Sequence, residues 1–134
     1  MSTVLCRAAL ETQLATITPA LATVYENTEY TPTVGTAYQE CYSLFATPEN
    51  PTMGDGYHRV LGIFQVNLFY PLLAGPGTAY ARAELIKAAF PRGSSFTSGA
   101  VTVIVDRTPE IGNGRIEGDR YMLPVKIPFF ANIT

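Results

Sequence analysis

The chain has 134 residues, a formal charge of −2 and a pI near 5.3, with 47% hydrophobic and only 15% charged residues. Average soluble domains carry about 25% charged residues, so residues 1–134 read as one domain with apolar surface to spare. The acidic balance and lack of a basic run argue against a nucleic-acid-gripping surface; no apolar stretch reaches the ~18 residues of a membrane span, and MSTVLCRAALETQ lacks the charged flank and apolar core of a signal peptide.

An amphipathic helix is expected from a Ser2 or Thr3 cap near Val4 up to Thr18-Pro19, where the residue before proline avoids helical geometry. Leu5, Ala8, Ala9 and Thr12 recur at helical spacing, as do Leu10, Leu14 and Ile17. Residues 21–26 (LATVYE) read as a short strand, and 27–36 as a loop punctuated by Pro32 and Gly35. Residues 37–47 read as a strand of poor alternation: Tyr38, Tyr42 and Leu44 share a face with Glu40, while Cys41 and Phe45 share the other with Gln39 and Ser43. Residues 48–56 (PENPTMGDG) form a connection too long for a two-residue hairpin turn.

Residues 57–70 (YHRVLGIFQVNLFY) are the strongest strand. Val60, Phe64, Val66, Leu68 and Tyr70, with Gly62 among them, make a core face. The opposite face mixes Arg59, Gln65 and Asn67 with Leu61, Ile63 and Phe69, which suits either a helix cover or a subunit contact. A second helix is expected over 76–90, with Ala79, Ala83, Ile86 and Phe90 as its buried stripe, Leu85 and Ala89 at its flanks, and Arg82, Glu84 and Lys87 outside; Pro76 fits the first turn, and Pro91 and Gly93 stop it. Residues 100–106 read as a strand, 108–118 as a mobile loop, and 119–130 as a last strand with Tyr121, Leu123, Val125, Ile127 and Phe129 on one face. Pro124 and Pro128 share a parity there, so both missing N–H groups aim at one side. The expectation is an edge strand with that side unpaired or paired only by side chains. The order α-β-β-β-α-β-β then predicts an α+β fold: a mostly antiparallel sheet with two helices packed on a face.

No catalytic constellation is visible. If residues 37–47 pair with 57–70 so that Ala46 lies near His58, the single histidine sits roughly 16 Å from Cys41, too far for a nucleophile–base pair. One histidine and two cysteines, Cys6 and Cys41, give no metal-ligand spacing, and the cysteines read as small buried hydrophobes. Gly54-Asp55-Gly56 reads as a turn, Gly112-Asn113-Gly114 as a flexible loop, and Glu110, Glu117 and Asp119 as solvated charges beside Arg115 and Arg120. No enzyme activity, cofactor or metal is therefore expected. A binding or assembly role fits better.

Several segments carry a resemblance: Tyr25-Glu26-Asn27 followed by Tyr30-Thr31-Pro32, then Pro48-Glu49-Asn50-Pro51-Thr52-Met53-Gly54-Asp55, Gly62-Ile63-Phe64-Gln65-Val66, Gly99-Ala100-Val101-Thr102-Val103 and Pro124-Val125-Lys126-Ile127-Pro128-Phe129. Together they cover nearly the whole chain, and it resembles the tail-terminator-like proteins of long-tailed bacteriophages and prophages. The resemblance implies a structural virion protein, made in the host bacterial cytoplasm, whose subunits close into a ring, typically a hexamer, at the top of the tail. Such a ring caps the tail tube, ends its polymerisation and docks the head-completion (neck) protein. DNA passes through the lumen without specific binding, and neither a cofactor nor a membrane is involved. The alternatives are another head–tail connector or minor tail component of similar fold, or a small-molecule-binding α+β domain. Loops 27–36, 48–56 and 108–118 are the expected adaptors to partners. Leu61, Ile63, Phe69 and Phe130 are the candidate subunit interface; the competing reading puts them under the helices.

Overall fold

A computed structural model describes residues 2–17, 22–25, 37–47, 58–71, 77–118 and 120–133. The sequence motifs at 26–36 and 48–57, two of the expected adaptor loops among them, lie outside the described residues. Among the described residues two helices, α1 (Ser2–Ala15) and α2 (Gly77–Ala89), accompany eight strands: β1 (Ala22–Val24), β2 (Tyr38–Phe45), β3 (His58–Pro71), β4 (Ser95–Ser98), β5 (Val101–Val105), β6 (Glu110–Ile111), β7 (Arg115–Glu117) and β8 (Arg120–Ile133). They form one sheet in the order β1-β2-β3-β8-β5-β4, with β6 and β7 also on β8. Among the described residues only the β1–β2 pair is parallel. The expected α+β fold, a mostly antiparallel sheet with two helices, is the fold observed.

The two long strands β3 and β8 are the spine. They pair over their full length, from His58 opposite Ile133 to Pro71 opposite Arg120. Strand alternation then divides the sheet into two faces. On one, Val60, Phe64, Val66, Leu68 and Tyr70 of β3 lie beside Ala131, Ile127, Val125, Leu123 and Tyr121 of β8. All except the half-buried Tyr121 are buried, and they join Cys41, Val101, Val103 and Val105 in one hydrophobic cluster with both helices. Helix α1 contributes Cys6, Ala9, Leu10 and Leu14, followed by Ile17 just past its end, and α2 contributes Ala79, Ala83 and Ile86, followed by Phe90. Gln13 ties the helices together: its Nε2 donates to the Ala89 carbonyl at 2.9 Å, satisfying an orphan acceptor at the end of α2.

Several expectations need correction. The buried stripe of α1 runs through Cys6 rather than Leu5, and Thr12 is exposed. Arg82 does not decorate the surface of α2; it is buried. The β2–β3 register places Phe45 opposite Gly62, and Ala46 N–H donates to Leu61 rather than lying near His58. The connection between the strands is thus longer than a reading from strand ends suggests. Strand β4 was unanticipated: Gly99, at φ +59°, turns β4 into β5, and β4 carries no long apolar run.

Strand β8 is also not an edge. Its far flank pairs with β5 at Phe129 and Phe130, with β6 at Val125 and Lys126, and with β7 at residues 120–122. Pro124 and Pro128 fall in the gaps between these three short partners. Both of their carbonyls point to that flank, accepting from Gly112 N–H (2.8 Å) and Asp106 N–H (2.9 Å). The two absent N–H groups do share a side, but the neighbour there is broken into pieces instead of missing. Segment 108–118 is therefore not a free loop: β6 and β7, five of its eleven residues, pair with β8. Its glycines permit the close approach: a Cβ at Gly112 would lie 2.8 Å from Pro124 Cγ, and one at Gly114 would overlap the Tyr121 hydroxyl.

Candidate subunit interface

The second face of the sheet carries neither α1 nor α2. Cross-strand register assembles it from Tyr38, Glu40, Tyr42 and Leu44 of β2, Leu61, Ile63, Gln65, Asn67 and Phe69 of β3, and the even-numbered residues 120–130 of β8. Leu61, Ile63, Phe69 and Phe130 all lie here, half-buried, and none joins the helix-side core. The structure nevertheless separates them into two groups.

At one end, apolar side chains cross four strands in two rows. Leu44, Ile63 and Pro128 form the first row, and Leu61, Phe130 and Ile104 the second. Leu44 is 50% exposed. The Arg59 guanidinium lies over the Phe130 ring, 4.7 Å from its centroid, and its Nε donates to Asn132 Oδ1 at 3.0 Å. Such a stacked cation buries its stem along apolar surface and keeps its charge at the margin.

Phe69 sits at the other end, six positions from Ile63 and so roughly 20 Å away at about 3.4 Å per residue. Its ring is stacked on Tyr38, with centroids 4.8 Å apart, and the Arg120 guanidinium lies 4.9 Å over the Tyr38 ring. Neighbouring Asn67, Arg120 and Met122 are buried. This end is largely covered within the subunit. A polar belt separates the two ends: Gln65 Nε2 donates to Asn67 Oδ1 at 2.9 Å, and Asn67 Nδ2 approaches the Tyr42 hydroxyl at 3.4 Å.

Sequence alternation alone placed Leu44 on this face but did not single it out, and Ile104 was missed because its partner Phe130 is set by the β5–β8 register. A second apolar feature was missed altogether. Ile116, 71% exposed on β7, lies opposite Tyr121 on the helix side of the sheet, and Tyr121 is hydrogen-bonded to Tyr80, itself 40% exposed on α2. Burial and then the Tyr80 contact push the Tyr121 hydroxyl above its ordinary pKa.

The chemistry-bearing residues are dispersed. Cys41 lies opposite Val66, eight β3 positions from His58, so their backbones are roughly 26 Å apart at ~3.3 Å per residue. Both cysteines are buried and neither forms a disulfide, and burial raises the Cys6 thiol pKa. Among the described residues no group of three His, Cys, Asp or Glu side chains could hold a metal ion. A cavity of ≈ 290 Å³ between α1, β1 and β2 is lined by Leu14, Ile17, Thr23, Tyr25, Gln39 and Arg82, among others. Gln39 Nε2 donates to Thr23 Oγ1 at 2.9 Å. Burial lowers the Arg82 pKa, partly offset by Tyr70, whose own pKa burial raises. The pocket mixes apolar and polar lining without presenting a nucleophile paired to a base.

Comparison with known proteins places this architecture. The sequence model described as phage tail terminator protein matches residues 5–129. One solved structure shares 29% identity at a TM-score of 0.79, covering 98% of this chain and 96% of that chain. A chain in the virion of a native gene transfer agent particle has the same fold at 18% identity and a TM-score of 0.63, again covering 98% and 96%. No curated protein matches. The chain belongs to the phage tail terminator family and is a structural protein of a phage virion.

Proposed function

We propose that residues 1–134 act as one domain whose copies close into a ring of six subunits, the family's usual stoichiometry, at the head–tail junction. The ring caps the tail tube, ends its polymerisation and presents a docking surface to the head-completion (neck) protein. The observation that carries this reading is the apolar stripe at Leu44, Leu61, Ile63, Pro128, Phe130 and Ile104, on a sheet face that neither helix covers. Contiguous apolar surface left partly exposed, most of all at Leu44, marks an interaction site, and a subunit of a closed ring must carry one. Of the residues singled out from sequence, Leu61, Ile63 and Phe130 form the contact, while Phe69 supports the face from its stack with Tyr38. The net charge of −2 suits a lumen through which DNA slides without being gripped. The role needs no cofactor and no catalytic step.

Mass measurement of the purified protein, together with electron microscopy of labelled virions, tests the proposal. A ring seen once per particle at the top of the tail is expected, and deletion of the gene gives tails of uncontrolled length. Tails of normal length left unjoined to heads would instead favour a head-side connector. A monomer absent from virions would overturn both readings.

A further inference from the structure

A ring closed by rotation uses two different patches per subunit, one donated and one received. If the ring reading holds, the stripe on the helix-free face needs a complement elsewhere on the same molecule. The described surface offers one at the diagonal corner. Ile116 projects from β7 with 71% of its surface exposed, beside Tyr80 and the half-buried Tyr121. Tyr121 lies seven to nine positions along β8 from Pro128 and Phe130, about 24–31 Å away at ~3.4 Å per residue, and on the opposite face of the sheet. No single subunit can bring these two patches together. A twofold contact would cover one of them with itself and leave the other in water, whereas a head-to-tail contact covers both.

One opposite-charge pair is available at the two margins. Arg59 borders the stripe, held over Phe130. Exposed Glu84 lies one helical turn beyond Tyr80 on α2. The corner has a structural basis as well: Gly114 lets β7 close onto the Tyr121 hydroxyl, where any side chain would collide, and this fixes Ile116 in its outward position.

We infer that the corner formed by Ile116, Tyr80 and Tyr121 inserts against the Leu44–Ile63–Phe130 stripe of the next copy, so that a second copy of this chain is the occupant of the stripe. The inference rests on the ring reading, and the experiment separates the two. Leu44→Asp disables the receiving patch, and Ile116→Asp the inserting one. Both sites are exposed, so each variant keeps the wild-type circular dichroism and melts within a few degrees of wild-type monomer. By mass measurement at the highest soluble concentration, wild type gives rings and each variant alone gives monomer. An equal mixture of the two variants gives a 1:1 complex of twice the subunit mass, because a single junction then has both intact halves and cannot propagate. Rings that persist in Ile116→Asp overturn the corner assignment and leave the ring reading standing. A mixture that stays monomeric overturns the head-to-tail pairing. Wild type that never exceeds a monomer overturns the ring reading, and this inference with it.

Discussion

Ile63 and Phe64 are consecutive residues of β3 that face opposite sides of the sheet, so substituting each in turn separates folding from assembly. Phe64 is fully buried and packs near Phe90, with ring centroids 6.1 Å apart. Truncation to alanine removes that burial and leaves a cavity, a loss of about 3–5 kcal/mol. Unfolding entropy near 2.1 cal/mol/K per residue gives about 0.28 kcal/mol per degree for a chain this long, so Phe64→Ala lowers Tm by about 11–18 °C. Ile63 is half-buried, opposite Leu44 and Pro128. Ile63→Asp forfeits about half of the ~1.5–3 kcal/mol of a fully buried side chain and up to ~1 kcal/mol of strand preference. The sum, about 2 kcal/mol, corresponds to roughly 7 °C. Assembly itself raises apparent stability, so both substitutions are compared calorimetrically on an Ile116→Asp background, far from either site. Mass measurement on the otherwise wild-type chain reports the ring. Ile63→Asp should be folded and monomeric; Phe64→Ala should be strongly destabilised. An Ile63→Asp protein that melts as low as Phe64→Ala would place Ile63 in the core, and one that still forms rings would remove it from the contact.

Two further outcomes follow from the packing. Gly62→Ala puts a Cβ onto the Leu44 carbonyl and 3.1 Å from Phe45 Cα, at the last pair of the β2–β3 ladder; denaturant titration should show a loss of about 1–3 kcal/mol, the range of overpacking, with m unchanged. Burial raises the pKa of Cys6 from 9.0 and of Tyr25 and Tyr70 from 10.0, so the unfolded chain releases these protons first as pH rises. Their contribution is intact below pH 9 and is lost progressively above it as pH climbs through the folded-state values, which a Tm series from pH 7 to pH 11 will show as a steepening fall that Cys6→Ala, which removes the earliest of the three titrations, postpones to higher pH.

Local patterning made the main elements readable because both long strands alternate cleanly on one face. Period alone identifies the core face from Val60 to Tyr70 and from Tyr121 to Phe129, and the Ala79–Ala83–Ile86–Phe90 stripe. What period cannot supply is pairing. The position of β8 depended on two prolines, and a missing N–H says which flank is affected without saying whether a partner stands opposite the other residues. Gly112 and Gly114 looked like loop residues, yet their lack of side chains is what lets β6 and β7 reach Pro124 and Tyr121. Arg82 looked solvated because charge ordinarily is; its burial follows from its place beside the buried stripe of α2, within reach of Tyr70. Among the proposed contact residues, Phe69 shared a parity with Leu61 and Ile63, but its Tyr38 and Arg120 stack is set by register across three strands.

The interrupted flank of β8 bears on function as well as on fold. A continuous strand on that side would have met Pro124 and Pro128 with two unpaired carbonyls of its own, a loss comparable to a missing hydrogen bond at each. Three short partners spaced to skip the prolines avoid that loss, and the turns between them carry the chain outward. One such turn brings β7 and Ile116 to the corner, while β5 ends beside the stripe with Ile104 against Phe130. Both halves of the proposed contact are thereby fixed to one rigid strand, at its two ends and on its two faces. In the proposed ring the angle between copies would follow from the twist and length of β8, which is a physical reason for placing the proposed self-contacts on the sheet.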